Sequence, residues 1–186
     1  KHPMNNTIKR IAAAATVALP MVAGAVAPAA SAFSGYAVGA EHNQLIDAIR
    51  STGIQFILND ERCEEKNAMG WYWAYKNEMV ICQDNRTPGS SQVRWTSNDL
   101  DTLRHEAQHL VQDCMVGGRR DGRLGAVYQD PIGLAENVLS SSYILQILEA
   151  YADQDDHTKV MELEAFSVAA LNDPLEQVRD IQKFCF

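Results

Sequence analysis

The chain has 186 residues, 46% of them hydrophobic, and it carries 24 acidic residues against 16 Lys and Arg, for a net charge of −8. This acidic balance argues against nucleic acid or an anionic membrane surface as a partner. The length and apolar content suit one globular domain with a real core.

The first 32 residues have the organisation of a bacterial secretory signal peptide. Lys9-Arg10 supplies the positive segment, an apolar run covers residues 11–27, and Ala30-Ser31-Ala32 is an A-x-A cleavage site. We expect cleavage after Ala32 and a secreted or periplasmic protein. The alternative, a retained membrane anchor, is disfavoured because Pro20 and Gly24 interrupt the Ala-rich run.

Residues 33–186 are expected to form a single domain. Lys1-His2-Pro3 resembles the remnant of a tag, with Met4 as the native start. Without the leader, the count of Lys and Arg falls by three, from 16 to 13, against 24 acidic residues, which gives a net charge of −11. At this charge, residues 33–186 are still less suited to bind nucleic acid.

Four cysteines follow the cleavage site, and an even number in an exported chain indicates two disulfides. We pair Cys63 with Cys82, because the residues between them look like two strands folded back on each other. Cys114 and Cys185 then form the second bond. A cysteine zinc site is disfavoured because the chain has no C-x-x-C spacing.

The hydrophobic pattern predicts an α+β fold with a small antiparallel sheet and a helical C-terminal half. Strands are expected at residues 54–58, 69–75 and 79–82, the last two as a hairpin. Helices are expected at about residues 43–51, 98–115, 131–152, 157–171 and 174–184, with His42 at the surface before the first. Trp71, Trp73 and Tyr75 share one face of the hairpin. We expect this face to pack on the core, with a substrate groove as the alternative.

The predicted helix 98–115 contains the H-E-x-x-H motif His105-Glu106-Ala107-Gln108-His109. Positions i and i+4 share one helix face, so both imidazoles can bind one zinc ion. Glu106 lies about 100° around the helix from His105, where it can act as general base without being a ligand. The apolar stripe runs beside the histidines, so we expect them at the edge of the core, facing a cleft.

A catalytic zinc ion usually takes three protein ligands, so one more is required. We choose Glu164, because its neighbours on the almost wholly apolar helix 157–171 are core-like and a buried carboxylate needs a cation. Glu162 has Lys159 as a neighbour and is expected to face outward. Asp113 is the rival, but ligands at i, i+4 and i+8 of one helix span about 12 Å, so a hydrogen-bonding role beside the site fits it better.

The motif, followed by Glu162-Leu163-Glu164-Ala165, resembles the zincin metallopeptidases of the gluzincin type, whose third ligand is a glutamate on a later helix. The resemblance implies a zinc site of His105, His109 and Glu164, with Glu106 as general base. It also implies a zincin-like core, in which a small sheet packs on the metal-site helix. A strand bordering the cleft would pair with an extended peptide.

Together these features predict an exported zinc metallopeptidase that hydrolyses the bonds of a peptide or protein substrate with a zinc-activated water. Tyr151 and His157 are candidates to stabilise the oxyanion, and the sequence does not choose between them. The alternative is a secreted, disulfide-stabilised binding protein with a structural or inactive zinc site.

Overall fold

The computed structural model of the chain describes residues 38–66, 68–117 and 122–186. The predicted signal peptide, residues 1–32, lies outside these ranges. Within them the fold is α+β, as the sequence indicated. The strands are β1 (Gln55–Leu58), β2 (Gly70–Trp73) and β3 (Glu78–Ile81). The helices are α1 (Ala40–Ser51), α2 (Arg62–Lys66), α3 (Ser97–Met115), α4 (Pro131–Val138), α5 (Ser141–Ala150), α6 (Asp156–Leu171) and α7 (Pro174–Phe184).

The three strands form a mixed sheet with β3 in the centre. β2 and β3 make the predicted antiparallel hairpin, which Asn77 closes in the left-handed region at φ 55°. β1 pairs with β3 in parallel. This pairing departs from the expected all-antiparallel sheet, because the chain crosses over through α2 after β1 and the hairpin then returns β3 in the direction of β1.

Side-chain caps set the helix boundaries. Thr96 and Asp99 form a capping box at the start of α3, each side chain accepting a hydrogen bond from the other residue's amide. The predicted helix 131–152 is instead two helices. Leu139 is extended at ψ 152°, and the Ser140 side chain accepts from the Tyr143 amide, so a new helix begins there.

Helix α3 lies at the centre of the fold, in contact with β2, β3, α6 and α7. Its apolar positions Leu103, Ala107 and Leu110 are wholly buried, as predicted. However, the histidine face is buried as well, because α6 packs directly on it. The expectation of histidines at an open edge of the core was therefore wrong.

Both predicted disulfides are present: Cys63 pairs with Cys82, and Cys114 pairs with Cys185. The first ties α2 to the end of β3, and the second ties the end of α3 to the end of α7. Two such bonds suggest an oxidising or extracellular compartment. Among the described helices, none is both long enough and apolar enough to span a bilayer.

Candidate metal centre

Helices α3 and α6 bring together three groups that could hold a metal ion. The Nε2 atoms of His105 and His109, one turn apart on α3, are 3.1 Å from each other. Glu162 reaches both from α6, with Oε2 3.3 Å from the first Nε2 and Oε1 3.5 Å from the second. One ligand atom from each residue lies within 4.8 Å of the others. Two imidazoles and a carboxylate suit a divalent transition metal.

The third member of this group is Glu162 and not Glu164, which corrects the choice made from the sequence. The Glu164 carboxylate accepts hydrogen bonds from four donors: Gln108 Nε2, Gln112 Nε2 and the amides of Val127 and Tyr128. These donors stabilise a fully buried charge without a cation. Burial was therefore predicted correctly for Glu164, but its compensation is hydrogen bonding.

The sequence misplaced Glu162 because α6 is buried on every side from Met161 to Ala169. Such a helix has no polar face from which the direction of a side chain can be read. Lys159, expected to hold Glu162 outward, pairs with Asp156 instead. Glu162 is only 5% exposed.

Glu162 and His109 form a buried ion pair whose two pKa values move apart. Burial lowers the pKa of His109, but the charge and hydrogen bond of Glu162 outweigh it and raise that pKa to about 9. Burial also opposes the charge of Glu162, yet the two histidines hold its pKa at about 2. The centre therefore stabilises positive charge, which is the condition for binding a cation.

Glu106 is fully buried beside the cluster. Burial raises the pKa of its carboxyl to about 6, and Glu162 adds to this effect, while His105, His109 and the backbone amide of Tyr72 oppose it. A carboxyl group with a pKa near neutrality can both accept and return a proton. Glu106 has the protonation properties expected of a general base, and it is not part of the three-ligand group.

Gln112 is a residue of the centre that the sequence did not single out. Its Oε1 is 2.7 Å from Nδ1 of His109, and its Nε2 is 3.0 Å from Glu164 and 2.9 Å from the carbonyl oxygen of Met161. The only available signal was its position three residues after His109, on the same side of the helix. That signal cannot reveal the partners on α6.

The other sequence candidates lie outside the cluster. Asp113 accepts a hydrogen bond of 2.7 Å from the Tyr72 hydroxyl and thereby joins α3 to β2. Tyr151 packs in a hydrophobic cluster of α4, α5 and α6, and His157 Nε2 contacts the Leu124 carbonyl oxygen at 2.9 Å. Neither this packing of Tyr151 nor this contact of His157 involves His105, His109 or Glu162, except that α6 carries both His157 and Glu162.

The centre is closed in this structure. His105 is 3% exposed, His109 2% and Glu106 0%. The Phe166 ring lies over His105 with 4.3 Å between ring centroids, and Tyr143 packs against Phe166 at 5.8 Å. Aromatic side chains therefore form a layer over the His105 end of the cluster.

Residues 36–186 match a family described as a domain of unknown function (DUF8637), and the chain therefore belongs to this family. No curated protein and no solved structure matches the chain. The family match covers the candidate centre and all four cysteines.

Proposed function

We propose that this member of the DUF8637 family is an exported zinc-dependent peptidase, with His105, His109 and Glu162 as ligands and Glu106 as general base. The observation that carries the proposal is the fully buried Glu106 directly beside a two-histidine, one-carboxylate group. In the gluzincins, which the sequence motif resembles, two histidines and a glutamate bind zinc and a second glutamate is the general base. The present proposal differs from the sequence prediction in using Glu162 in place of Glu164.

The donor set fits zinc, which binds imidazole nitrogen and carboxylate oxygen and keeps one position open in catalytic sites. When bound, zinc supplies a Lewis acid that makes water nucleophilic near neutral pH and polarises a carbonyl group. Glu106, with a pKa of about 6, is mostly ionised at pH 7 and can take a proton from the attacking water. It then returns that proton to the leaving nitrogen as the C–N bond breaks, and the second proton of the water passes from the new carboxyl group to the amine, which yields a carboxylate and an ammonium group.

Strand β2 is the best candidate for the strand that pairs with an extended substrate. Among the described strands it lies at one edge of the sheet, next to β3. The Tyr72 backbone amide in this strand lowers the pKa of Glu106 by hydrogen bonding, so the strand runs close to the proposed base. A peptide adding to a sheet edge would gain main-chain hydrogen bonds that require no particular sequence.

The two disulfides suit an oxidising compartment. We propose that residues 1–32 export the chain and that the remainder works outside the cytoplasm.

The decisive variant is Glu106→Gln, which keeps the size of the side chain but removes the base. Zinc content should stay at one equivalent, while cleavage of a mixed-sequence peptide library should fall by about 100-fold or more. Glu136→Gln, on the exposed face of α4, is the matched control and should cleave like the wild type. Unchanged turnover in Glu106→Gln would refute the mechanism.

A second candidate, a structural zinc site in an exported binding protein, is favoured by one specific observation. No residue of the cluster is more than 5% exposed, so a substrate cannot reach an ion held there in this state. This candidate predicts that chelation lowers Tm strongly and that the zinc-loaded protein cleaves no peptide and binds no hydroxamate. Hydroxamate binding would favour the peptidase, since it requires an open coordination position.

A further inference from the structure

Glu164, the carboxylate that the sequence assigned to the metal, lies at the start of a buried hydrogen-bond chain leading to a proposed ligand. Gln112 contacts Glu164 Oε1 at 3.0 Å through its Nε2, and contacts His109 Nδ1 at 2.7 Å through its Oε1. All three side chains are at most 2% exposed. Water therefore does not compete for these bonds.

The direction of each hydrogen bond in the chain is determined by the donors around it. Both oxygens of Glu164 face N–H groups, so this carboxylate acts only as an acceptor. Gln112 Nε2 therefore donates to Glu164, and it also donates to the Met161 carbonyl oxygen at 2.9 Å. This leaves Gln112 Oε1 facing His109, and an amide oxygen can only accept.

The imidazole must then carry its proton on Nδ1. In the neutral ring this leaves a lone pair on Nε2, the atom that faces His105 and Glu162. We propose that Glu164 is a positioning residue that acts through Gln112 to hold His109 in the metal-binding tautomer and orientation. The chain raises metal affinity by fixing the ligand before the ion arrives.

An amide is the group that this position requires. It must donate toward Glu164 and accept from His109 at the same time, which neither a carboxylate nor a hydrocarbon can do. A carboxylate at position 112 would face the Glu164 carboxylate at about the 3.0 Å of the present bond. Two buried like charges at that separation would repel each other strongly.

The hydrogen-bond chain from Glu164 positions only one of the two histidine ligands, His109. His105 Nδ1 is buried, and among the described residues it has no hydrogen-bond partner. Helix α6 thus supplies a ligand, Glu162, and the origin of the chain, Glu164, two residues apart. Packing of α6 on α3 therefore sets the ligand distance and the His109 tautomer together.

This inference depends on the metal site of the proposed function but not on peptide hydrolysis. The test compares zinc affinity, measured by competition with a chromogenic chelator, and the Nδ1 proton resonance of His109 in the zinc-loaded protein. Gln112→Leu should weaken zinc binding by about 10- to 100-fold and shift or lose that resonance. Gln108→Leu is the matched control: the Gln108 side chain bonds to the same Glu164 oxygen at 2.9 Å, and within the described chain it bonds to no histidine. It should stay within about threefold of the wild type.

Exchanging the amide at position 112 with the carboxylate at position 164 gives the sharper test. Gln112→Glu alone should weaken zinc binding by at least about tenfold, because two carboxylates face each other. Adding Glu164→Gln should recover at least about threefold of that loss. The amide then at position 164 can donate to the carboxylate at position 112 through its nitrogen and accept from the Val127 and Tyr128 amides through its oxygen. Recovery stays incomplete, because the Met161 carbonyl oxygen has lost the donor that Gln112 supplied.

Equal affinity of Gln112→Leu and Gln108→Leu, or a double variant no better than Gln112→Glu alone, would overturn the inference. If Gln112→Leu does not fold, the double variant decides by itself. A protein that behaves as described but cleaves no peptide would refute the proposed peptidase and leave the positioning role of Glu164 in place.

Discussion

Replacing Glu162 by Gln should show which of two glutamates, Glu162 or Glu164, is the third metal ligand. The substitution removes the negative charge 3.3 Å from His105 and 3.5 Å from His109 and keeps the side-chain volume. A neutral amide oxygen is a much poorer zinc ligand than a carboxylate. Zinc affinity should therefore fall, and its dependence on pH should change as well.

The size of both effects follows from the ion pair. Outer-shell changes cost about 10- to 100-fold in affinity, so loss of a direct ligand should cost at least about 100-fold at pH 9, or about 2.8 kcal/mol. Glu162 raises the pKa of His109 to about 9, so zinc must displace a proton from the wild type at lower pH. Wild-type affinity should then rise about tenfold per pH unit between pH 7 and 9. Without Glu162, only the charge of Glu106 and the hydrogen bond of Gln112 still oppose the effect of burial on the pKa of His109, so the slope over this interval should become shallower.

The assay is a titration of apoprotein in zinc-buffered solutions between pH 7 and 9, with circular dichroism to confirm folding. Glu164→Gln is the comparison, because it leaves the Glu162–His109 pair intact and should keep the wild-type slope. If Glu162→Gln binds zinc like the wild type at every pH while Glu164→Gln loses the ion, Glu162 is not a ligand and the present assignment is refuted.

Two further predictions concern stability. Burial is the main cause that lowers the pKa of His42 from 6.5 to about 4, and the charge of Arg104 adds to it. Between these two pH values the unfolded chain binds a proton that the folded chain excludes. The stability of the fold should therefore fall as the pH drops through this range. This pKa difference corresponds to about 3.4 kcal/mol of unfolding free energy, which partial solvation of the ring reduces to about 2 kcal/mol. Urea unfolding should show that His42→Gln loses less stability than the wild type as the pH drops. An equal dependence of stability on pH in both proteins would contradict the role of His42. Replacing Cys114 and Cys185 by Ser should cost about 4 kcal/mol, and replacing Cys63 and Cys82 about 3 kcal/mol, because the two bonds close loops of 71 and 19 positions. Thermal unfolding of the two double variants checks this order, and an equal or inverted loss would refute the loop-entropy explanation.

Features set by neighbouring residues could be predicted from the sequence. The β2–β3 hairpin follows from alternation and a short turn, and the Cys63–Cys82 bond follows from the hairpin, since both depend on local geometry. The i, i+4 spacing of His105 and His109 likewise places two imidazoles together on any helix. These predictions are confirmed.

Most features set by distant contacts could not be predicted; the Cys114–Cys185 bond is the exception, because these two cysteines remain once Cys63 and Cys82 are paired. The parallel pairing of β1 with β3 depends on a crossover that leaves no periodic signal. His42 was expected at the surface, but its Nε2 accepts a hydrogen bond from Arg104 at 2.8 Å inside the protein. Glu164 was correctly expected to be buried and in need of compensation, but sequence alone cannot distinguish a cation from four N–H donors as the source of that compensation.

The closed state of the centre decides what a peptidase mechanism must include. A peptide carbonyl cannot reach Glu106 while the cluster is covered by Phe166, which belongs to a hydrophobic cluster separate from the main core. That second cluster unites α4 and α5 with α6, and α5 leaves Leu145 66% exposed. Movement of α4 and α5 would remove Tyr143 from Phe166 without disturbing the packing of α3 against the sheet, but Phe166 itself belongs to α6, so its side chain must also turn away to uncover His105. A peptidase thus requires α4, α5 and the Phe166 side chain to move aside, whereas a structural zinc site requires no such movement.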